Sequence, residues 1–583
     1  MNMPALPAFD RKFLEGAEPF TMIGSGSLGG KARGLIELSV ALQTCLEPSA
    51  SPGVEVYIPR FAVIGTDLFD LFLKENDLYK VALSGASDPE ITREFHRASL
   101  PVQLVGDLHA LVSHLHVPLA VRSSSLLEDA IEHPMAGVYA TKMTPNNQYD
   151  SDIRFRKLVE AIKLVWASTF FASARGYLAG IGRDPREEKM AVMIQELVGL
   201  RRRDRFHPDL AGVARSYNFY PTGHARPREG VVSLALGLGK TIVDGGRSWT
   251  YSPAYPRANP PYNSIRDLMQ QTQTDYWAVN MGPITDYDPL RESEYLIKVG
   301  LEEAEEDGLL AMTASSYDHE ADRLVPHLDR PGPRVVTFAP LLVNERVPLN
   351  RALVALLACC EHAAGTEVEI EFAVNLPQRS GEAARLGFLQ VRPLLVSEQT
   401  VEIAPEDLEA EDVLVSSDSA LGNGSIDSLV DIVYVKPETF DSAKTRAIAA
   451  QIEEVNRALL ADNRRYVLIG FGRWGTSDPW LGIPITWGQI SGARAIVESS
   501  LPQVVADPSQ GSHFFHNVTS LRIFYLSAGT RGRGVQWDWL RELPAISDTE
   551  FVRHVRVESP LVVRVDGRSG RGLIAKTRTV RPS

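Results

Sequence analysis

Apolar residues recur at spacings of three and four in "GGKARGLIELSVAL", in "DLFDLFLKEN" and in "KLVEAIKLVWASTFFASARGYLAG", so the chain to about Arg183 reads as helix-rich. One strand-like run interrupts it, "PLAVRSSS", which ends abruptly in polar residues. Further on, "MAVMIQELV" between Met190 and Val198 runs apolar in the manner of a buried strand. From Leu200 to Pro289 turn signals such as "YPTG", "VDGG" and "ANPPY" predict a loop-rich region. Beyond it, "RVVTFAPLL" and "RALVALLACCEHAAG" predict a strand and a helix, and "TEVEIEFAVNL" and "RLGFLQVRPLLV" alternate with period two as strands do.

The acidic stretch "SEQTVEIAPEDLEAEDVLVSSDSALGNGS" has the composition of a linker, expected over residues 398–424. After it, "IVYVKP", "RYVLIGFGRWG", "ARAIVE" and "LRIFYL" suggest a separate α/β region, residues 425–583. Internal repeats are absent from the sequence. The 583 residues exceed what one core usually holds. A formal net charge of −13 argues against a surface that follows a nucleic-acid backbone throughout, leaving "LRRRDR" and the basic tail as local candidates without a groove-reading motif. Three cysteines, Cys45, Cys359 and Cys360, give neither a disulfide framework nor zinc spacing. The N-terminus lacks a signal-peptide pattern, and the longest apolar run, Ala352–Cys360, is far short of the roughly twenty residues of a membrane span. These features together lead to the expectation of a cytoplasmic chain with no membrane partner.

The candidate chemistry begins at "MIGSGSLGGKARGL". A phosphate loop of the Gly-four-residues-Gly-Lys-Ser/Thr kind needs a first Gly where Ser25 stands and a hydroxyl where Ala32 stands. "SLALGLGKT" ends correctly at Lys240-Thr241 but has Leu234 in place of the first Gly. The chain therefore has glycine-rich turns and no such motif. Lys31, Arg122, Gln195, Glu196, Glu369, Glu371, Gln390 and Arg392 all fall at strand ends, at turns or at alternate strand positions. Cations for phosphate oxygens and carboxylates for Mg²⁺ are the parts that phosphoryl transfer needs.

Taken in order, "GSLGGKARGL", "LAVRSSSLLEDAIEHPMAGVY", "AVMIQELV", "YPTG" before "LGLG", and "EIEFAV" with "LQVRPL" resemble the ATP-binding domain of the phosphoenolpyruvate synthase and pyruvate phosphate dikinase family over about residues 1–397. The resemblance implies an α+β ATP-grasp fold whose two lobes, about 1–200 and 201–397, close on ATP. It implies that Lys31 and Arg122 contact phosphate, that Gln195 and Glu196 lie on the strand passing the adenine, and that Gly237 and Gly239 allow close approach to the nucleotide. Glu371 and Gln390 would be the metal ligands, Glu369 a less direct aid to the metal, and Arg392 the catalytic arginine; the cofactors would be ATP and Mg²⁺. Residues 202–228 lack the family's phenylalanine-threonine pair and its acidic residue before the proline, and residues 252–277 have no counterpart in it.

A less extensive resemblance links "RYVLIGFGRWGTSDPWLGIPITW" and "DPSQGSHFFHN" to the family's smaller α/β swivelling domain. It implies that His513, after Gly511 and Ser512, is the phospho-accepting histidine, although Phe514 and Phe515 replace the family's small residues. His513 and His516 as a metal pair would need two further ligands. "GFGRWG" fits a dinucleotide fingerprint in its glycines only, because "TSDPW" does not open a helix. No motif of the family's pyruvate-binding TIM barrel is present, so the acceptor is expected to be another small molecule or a partner protein. The expected activity is ATP-dependent phosphotransfer to a histidine or directly to that acceptor. The alternative is an ATP-binding regulatory or sensor protein without turnover.

Overall fold

The computed structural model describes residues 6–10, 19–45, 53–128, 137–258, 264–394, 401–500, 514, 518, 523–528 and 534–576, apart from isolated positions within these spans. It is a mixed α/β structure of two compact units. The first comprises Met1–Arg175, Arg183–Ile242 and Arg247–Pro393, and the second Gly176–Gly182, Val243–Gly246 and Leu394–Ser583. None of the sheets among the described residues closes into a barrel.

The first unit holds two sheets that matter for the site. One has five strands in the order Phe20–Ile23, Phe61–Ile64, Met190–Glu196, Leu119–Ser125, Thr141–Thr144, parallel at its first pair and antiparallel after it. The predicted strands "MAVMIQE" and "LAVRSSS" lie side by side at its centre, and nearly all their residues are buried. Helices Gly29–Cys45, Thr66–Glu75 and Ser151–Ser168 form where the apolar spacing of three and four predicts them. The predicted run through "STFFASARG" is broken. Thr169 and Phe170 donate to carbonyls three residues back, and a second helix, Ala172–Gly180, starts afterwards. The break sets Phe170 among Phe69, Phe95 and Trp166 in a buried aromatic cluster.

The second sheet has six strands in the order Trp249–Tyr251, Val231–Leu236, Leu210–Arg215, Val368–Asn375, Ala384–Pro393, Val54–Tyr57. Three of these six come from the segment expected to be loop-rich. Leu210–Arg215 and Val231–Leu236 are buried at every position, so neither shows the alternation that reveals a half-exposed strand. Only their bounding turns are legible in the sequence. Smaller sheets of four and three strands complete the unit. "RVVTFAPLL" proves to be a three-residue strand, Arg334–Val336, followed by a short helix, Ala339–Leu342.

The second unit is built on a nine-stranded mixed sheet. Its centre, Gly424–Val435, Tyr466–Phe471, Ala493–Ser499 and Phe524–Ala528, is parallel, and helix Thr445–Ala461 connects the first two strands. The acidic stretch expected as a linker supplies Val413–Ser417 and Ser419–Leu421 to this sheet. The apolar residues Val413, Leu414, Val415, Ala420 and Leu421 are buried, whereas the acidic positions that set the composition fall outside these strands or on turns.

A buried carboxylate ties the strands of this sheet together. Asp431 accepts from Arg464 Nε at 2.6 Å, Arg556 Nε at 2.8 Å and pairs with His554 Nε2 at 2.9 Å. Burial alone would raise its pKa, but the hydrogen bonds from His554, Arg556 and Arg464 outweigh this and leave it at about 2. A folded-state pKa below the unfolded value stabilises the fold above pH 4 and is lost as pH falls toward 2. The contribution is about 2 kcal/mol. Amide exchange in Gly424–Val435 should therefore be faster in Asp431→Asn than in the wild type at pH 6, and the difference should vanish near pH 2.

Candidate active site

Two neighbouring antiparallel strands, Val368–Asn375 and Ala384–Pro393, set Glu369 opposite Arg392 and Glu371 opposite Gln390. A register shift between Glu371 and Phe372 interrupts the ladder directly after Glu371, the kind of irregularity that re-aims a side chain. Arg392, only 2% exposed, spans both carboxylates: Nη1 lies 3.5 Å from Glu369 Oε1 and Nη2 lies 3.4 Å from Glu371 Oε1. On the other flank Arg215, paired in register with Glu369, donates from Nε to Glu369 Oε2 at 2.6 Å. Burial lowers the Arg215 pKa, with Glu369 opposing and Arg392 adding to the shift.

Arg122 reaches this group from the five-stranded sheet. Its Nη2 donates to Gln390 Oε1 at 2.7 Å and lies 3.5 Å from Glu371 Oε2; its Nη1 donates to the Leu389 carbonyl at 3.1 Å and to Gln195 Oε1 at 3.3 Å. A continuous polar chain thus runs from Gln195 through Arg122, Gln390, Glu371, Arg392 and Glu369 to Arg215. It brings together six of the residues singled out in the sequence and joins the two sheets of the first unit. Three guanidinium groups and two carboxylates alternate along it. Gln195 is 2% exposed and its Nε2 has no hydrogen-bond partner among the described residues, so a buried donor stands ready for an acceptor. Glu196, next along the strand, has its pKa raised by burial against the opposing effect of Arg60.

Lys31 is held close by. Its Nζ donates to Ser123 Oγ at 3.0 Å and forms a buried ion pair with Glu128. The glycine-rich turn before it has a steric cause: Gly29 has φ +73°, and a Cβ there would stand 1.7 Å from the Ser124 carbonyl oxygen. Ser124 fastens the turn by donating to the Leu28 carbonyl at 2.7 Å and accepting from the Ala32 N–H at 3.1 Å. Lys31 was expected to serve phosphate and not the core; with 6% exposure it is also part of the interior.

The two glycines of "LGLG" differ. Gly237 has φ +71°, and a Cβ there would meet the Trp277 carbonyl oxygen at 2.6 Å, so a neighbouring strand already requires glycine. At Gly239 a Cβ would only touch Ala211 at 3.5 Å, an ordinary contact, and the described protein does not demand glycine there. "LRRRDR" lies in a hairpin in which three of the four arginines meet acids, Arg202 with Asp209 at 2.5 Å, Arg203 with Glu306 at 2.6 Å and Arg205 with Asp307 at 2.7 Å, while Arg201 donates to the Arg203 carbonyl. His513, with Gly511, Ser512 and His516, lies outside the described residues.

The sequence reading missed Glu128, Arg215, Ser123 and Ser124. Arg215 had a signal, a lone charge ending the apolar run "LAGVA"; Glu128 had none beyond its place in the "SSSLLED" motif.

With this geometry in hand, the comparison with known families is decisive: the model of the pyruvate phosphate dikinase AMP/ATP-binding domain matches residues 25–412. The chain belongs to this family. No curated protein matches it. The family match contains every described residue of the site above, and it ends at residue 412, past the end of the first unit and just before the strand Val413–Ser417 of the second. Among the described residues no helix is long and apolar enough to cross a membrane.

The buried Lys31–Glu128 pair separates two roles by mutation. Lys31→Ala leaves Glu128 buried without its cation and should cost about 3–5 kcal/mol of stability. The double variant Lys31→Met, Glu128→Gln removes both charges and should recover most of that loss while still binding nucleotide at least tenfold more weakly than the wild type. Chemical denaturation and a nucleotide titration of both variants measure the two effects.

Proposed function

We propose that this chain is a Mg²⁺-dependent phosphotransferase that moves phosphate from ATP to a histidine or to an acceptor other than barrel-bound pyruvate. The single observation that carries the reading is the pairing of Glu371 with Gln390 across two strands, with Arg122 and Arg392 converging on them. Two guanidinium groups converging on the one carboxylate of Glu371 favour an anion at that point.

The roles follow from chemistry. Arg122, with its planar fork, suits two phosphate oxygens at once. Lys31 adds a point charge. Arg392, fixed by Glu369 and Glu371, can neutralise charge at the transferred phosphoryl group without having to reorganise. Gln195 Nε2 offers a donor to a ring nitrogen of the base, and the strand continues to Glu196.

Glu371 and Gln390 present only oxygen donors, which fits Mg²⁺. Two protein ligands leave the rest of a Mg²⁺ shell to water and to nucleotide phosphates. When bound there the cation supplies charge neutralisation at the phosphates. The fold we infer for the first unit is ATP-grasp, with lobes corresponding to the two sheets. We assign the second unit to a divergent phosphohistidine carrier with His513 as acceptor.

Incubation with γ- and β-labelled ATP tests the reading. AMP or ADP as the product, together with a labelled, acid-labile phosphoprotein, is expected, and His513→Ala should lose the protein-bound label while His516→Ala keeps it. ATP binding with no product would return the chain to the sensor alternative. A second prediction concerns the metal. Glu371→Gln should lower turnover at least a hundredfold while changing nucleotide affinity less than tenfold, since a neutral amide is a poor Mg²⁺ ligand. Wild-type rates across a magnesium titration would make Glu371 structural.

A further inference from the structure

The three cysteines lie close together. Cys45 closes the helix Gly29–Cys45 and is exposed, whereas Cys359 and Cys360 lie near the end of the helix Leu349–Ala364 and are buried. The two helices pack against each other. Cys359 Sγ donates to the Ala41 carbonyl at 3.8 Å, one turn before Cys45, and the Cys45 and Cys359 side chains are in hydrogen-bond contact. Cys360 is turned about 100° away around the helix and belongs to the apolar core with Leu353, Leu356 and Leu357.

Both helices lead to the site. The first begins at Gly29 and carries Lys31 in its opening turn, about 21 Å from Cys45 at 1.5 Å per residue. The second passes through a left-handed Gly365 into Val368–Asn375, the strand of Glu369 and Glu371. A bond between Cys45 and Cys359 would therefore fasten the element that carries the cation to the element that carries the carboxylates.

We propose that Cys45 and Cys359 form an oxidative modification site, at which a peroxide converts the two thiols to a disulfide that locks the last turn of Gly29–Cys45 onto Leu349–Ala364. Burial, with Cys45 alongside, pushes the Cys359 thiol up to about 12, so the exposed Cys45 is the thiol that meets the oxidant. Its sulfur attacks the peroxide: an S–O bond forms, the O–O bond breaks and one water leaves. The sulfur of Cys359 then displaces hydroxide from the Cys45 sulfenic acid, and the hydroxide leaves as a second water with the Cys359 proton. Two thiols and one hydrogen peroxide give one disulfide and two waters. A dithiol reverses the change.

The test uses the full chain and stoichiometric hydrogen peroxide, followed by alkylation, non-reducing digestion and mass spectrometry, with hydrogen exchange on the same samples. One cross-linked peptide joining Cys45 to Cys359 is expected, lost in Cys45→Ser and in Cys359→Ser, kept in Cys360→Ser and released by dithiothreitol. Amide exchange over residues 38–45 should slow about tenfold as local opening is suppressed. A bond to Cys360, oxidation of Cys45 with no cross-link, or a cross-link that leaves exchange unchanged would overturn the proposal. None of these readouts uses a nucleotide, so the absence of ATP turnover would count against the proposed function and leave this inference intact.

Discussion

Arg392 sits between two carboxylates with 2% of its surface exposed, and much of the first unit is arranged around that fact. A guanidinium so deeply buried is tolerable only if each of its flanks meets an acceptor. Glu369 and Glu371 provide those acceptors because they lie two residues apart on one strand and so share a face. Their strand must then hold one register against Ala384–Pro393, since a slip of a single residue would turn both carboxylates to the opposite face. Arg215, on the next strand, fixes Glu369 from the other side. Three strands are thus locked in register by one ionic chain.

The same chain sets what the site can bind. Glu369 is satisfied within the protein by Arg215 and Arg392, whereas Glu371 is shared between Arg392 and Arg122 at 3.4 and 3.5 Å, long distances for guanidinium and carboxylate. Arg122, 12% exposed at its side chain, is bonded to groups on both sheets. On the function proposed above, an entering phosphate competes with Glu371 and Gln390 for Arg122. The Lys31–Glu128 pair has the same form, a buried cation neutralised by an internal acid.

Half of this was legible in the sequence. The strands "EIEFAV" and "LQVRPL" alternate because one face is polar, and the polar face is the site; pattern and chemistry coincide there. Arg122 and Gln195 stood out for the same reason, as polar residues in apolar runs. The strands Leu210–Arg215 and Val231–Leu236 were hidden because complete burial erases alternation. The strands within 413–421 were hidden because composition over a window averages buried residues with the acidic ones beside them. The Gly29 turn was visible as glycine, but its reason, the Ser124 carbonyl, lies 95 residues away in the sequence and only the fold brings it near. Glu128 belongs to the same kind: its partner Lys31 is separated by 97 residues.

The contrast between Gly237 and Gly239 separates structural need from ligand need. Gly237 is forced by its own φ and by the Trp277 carbonyl, so any protein with this strand arrangement would keep it, with or without a nucleotide. Gly239 has room for a side chain against every described neighbour, and the fold supplies no reason for its being glycine. The same reasoning applies to Gln195. Its Oε1 is used by Arg122, but its Nε2 is buried with no acceptor among the described residues, which costs about 1–3 kcal/mol when left unsatisfied. Folding alone would favour a residue without that donor. An acceptor supplied from outside the chain removes the cost, and on the function proposed above a nucleobase ring nitrogen is such an acceptor.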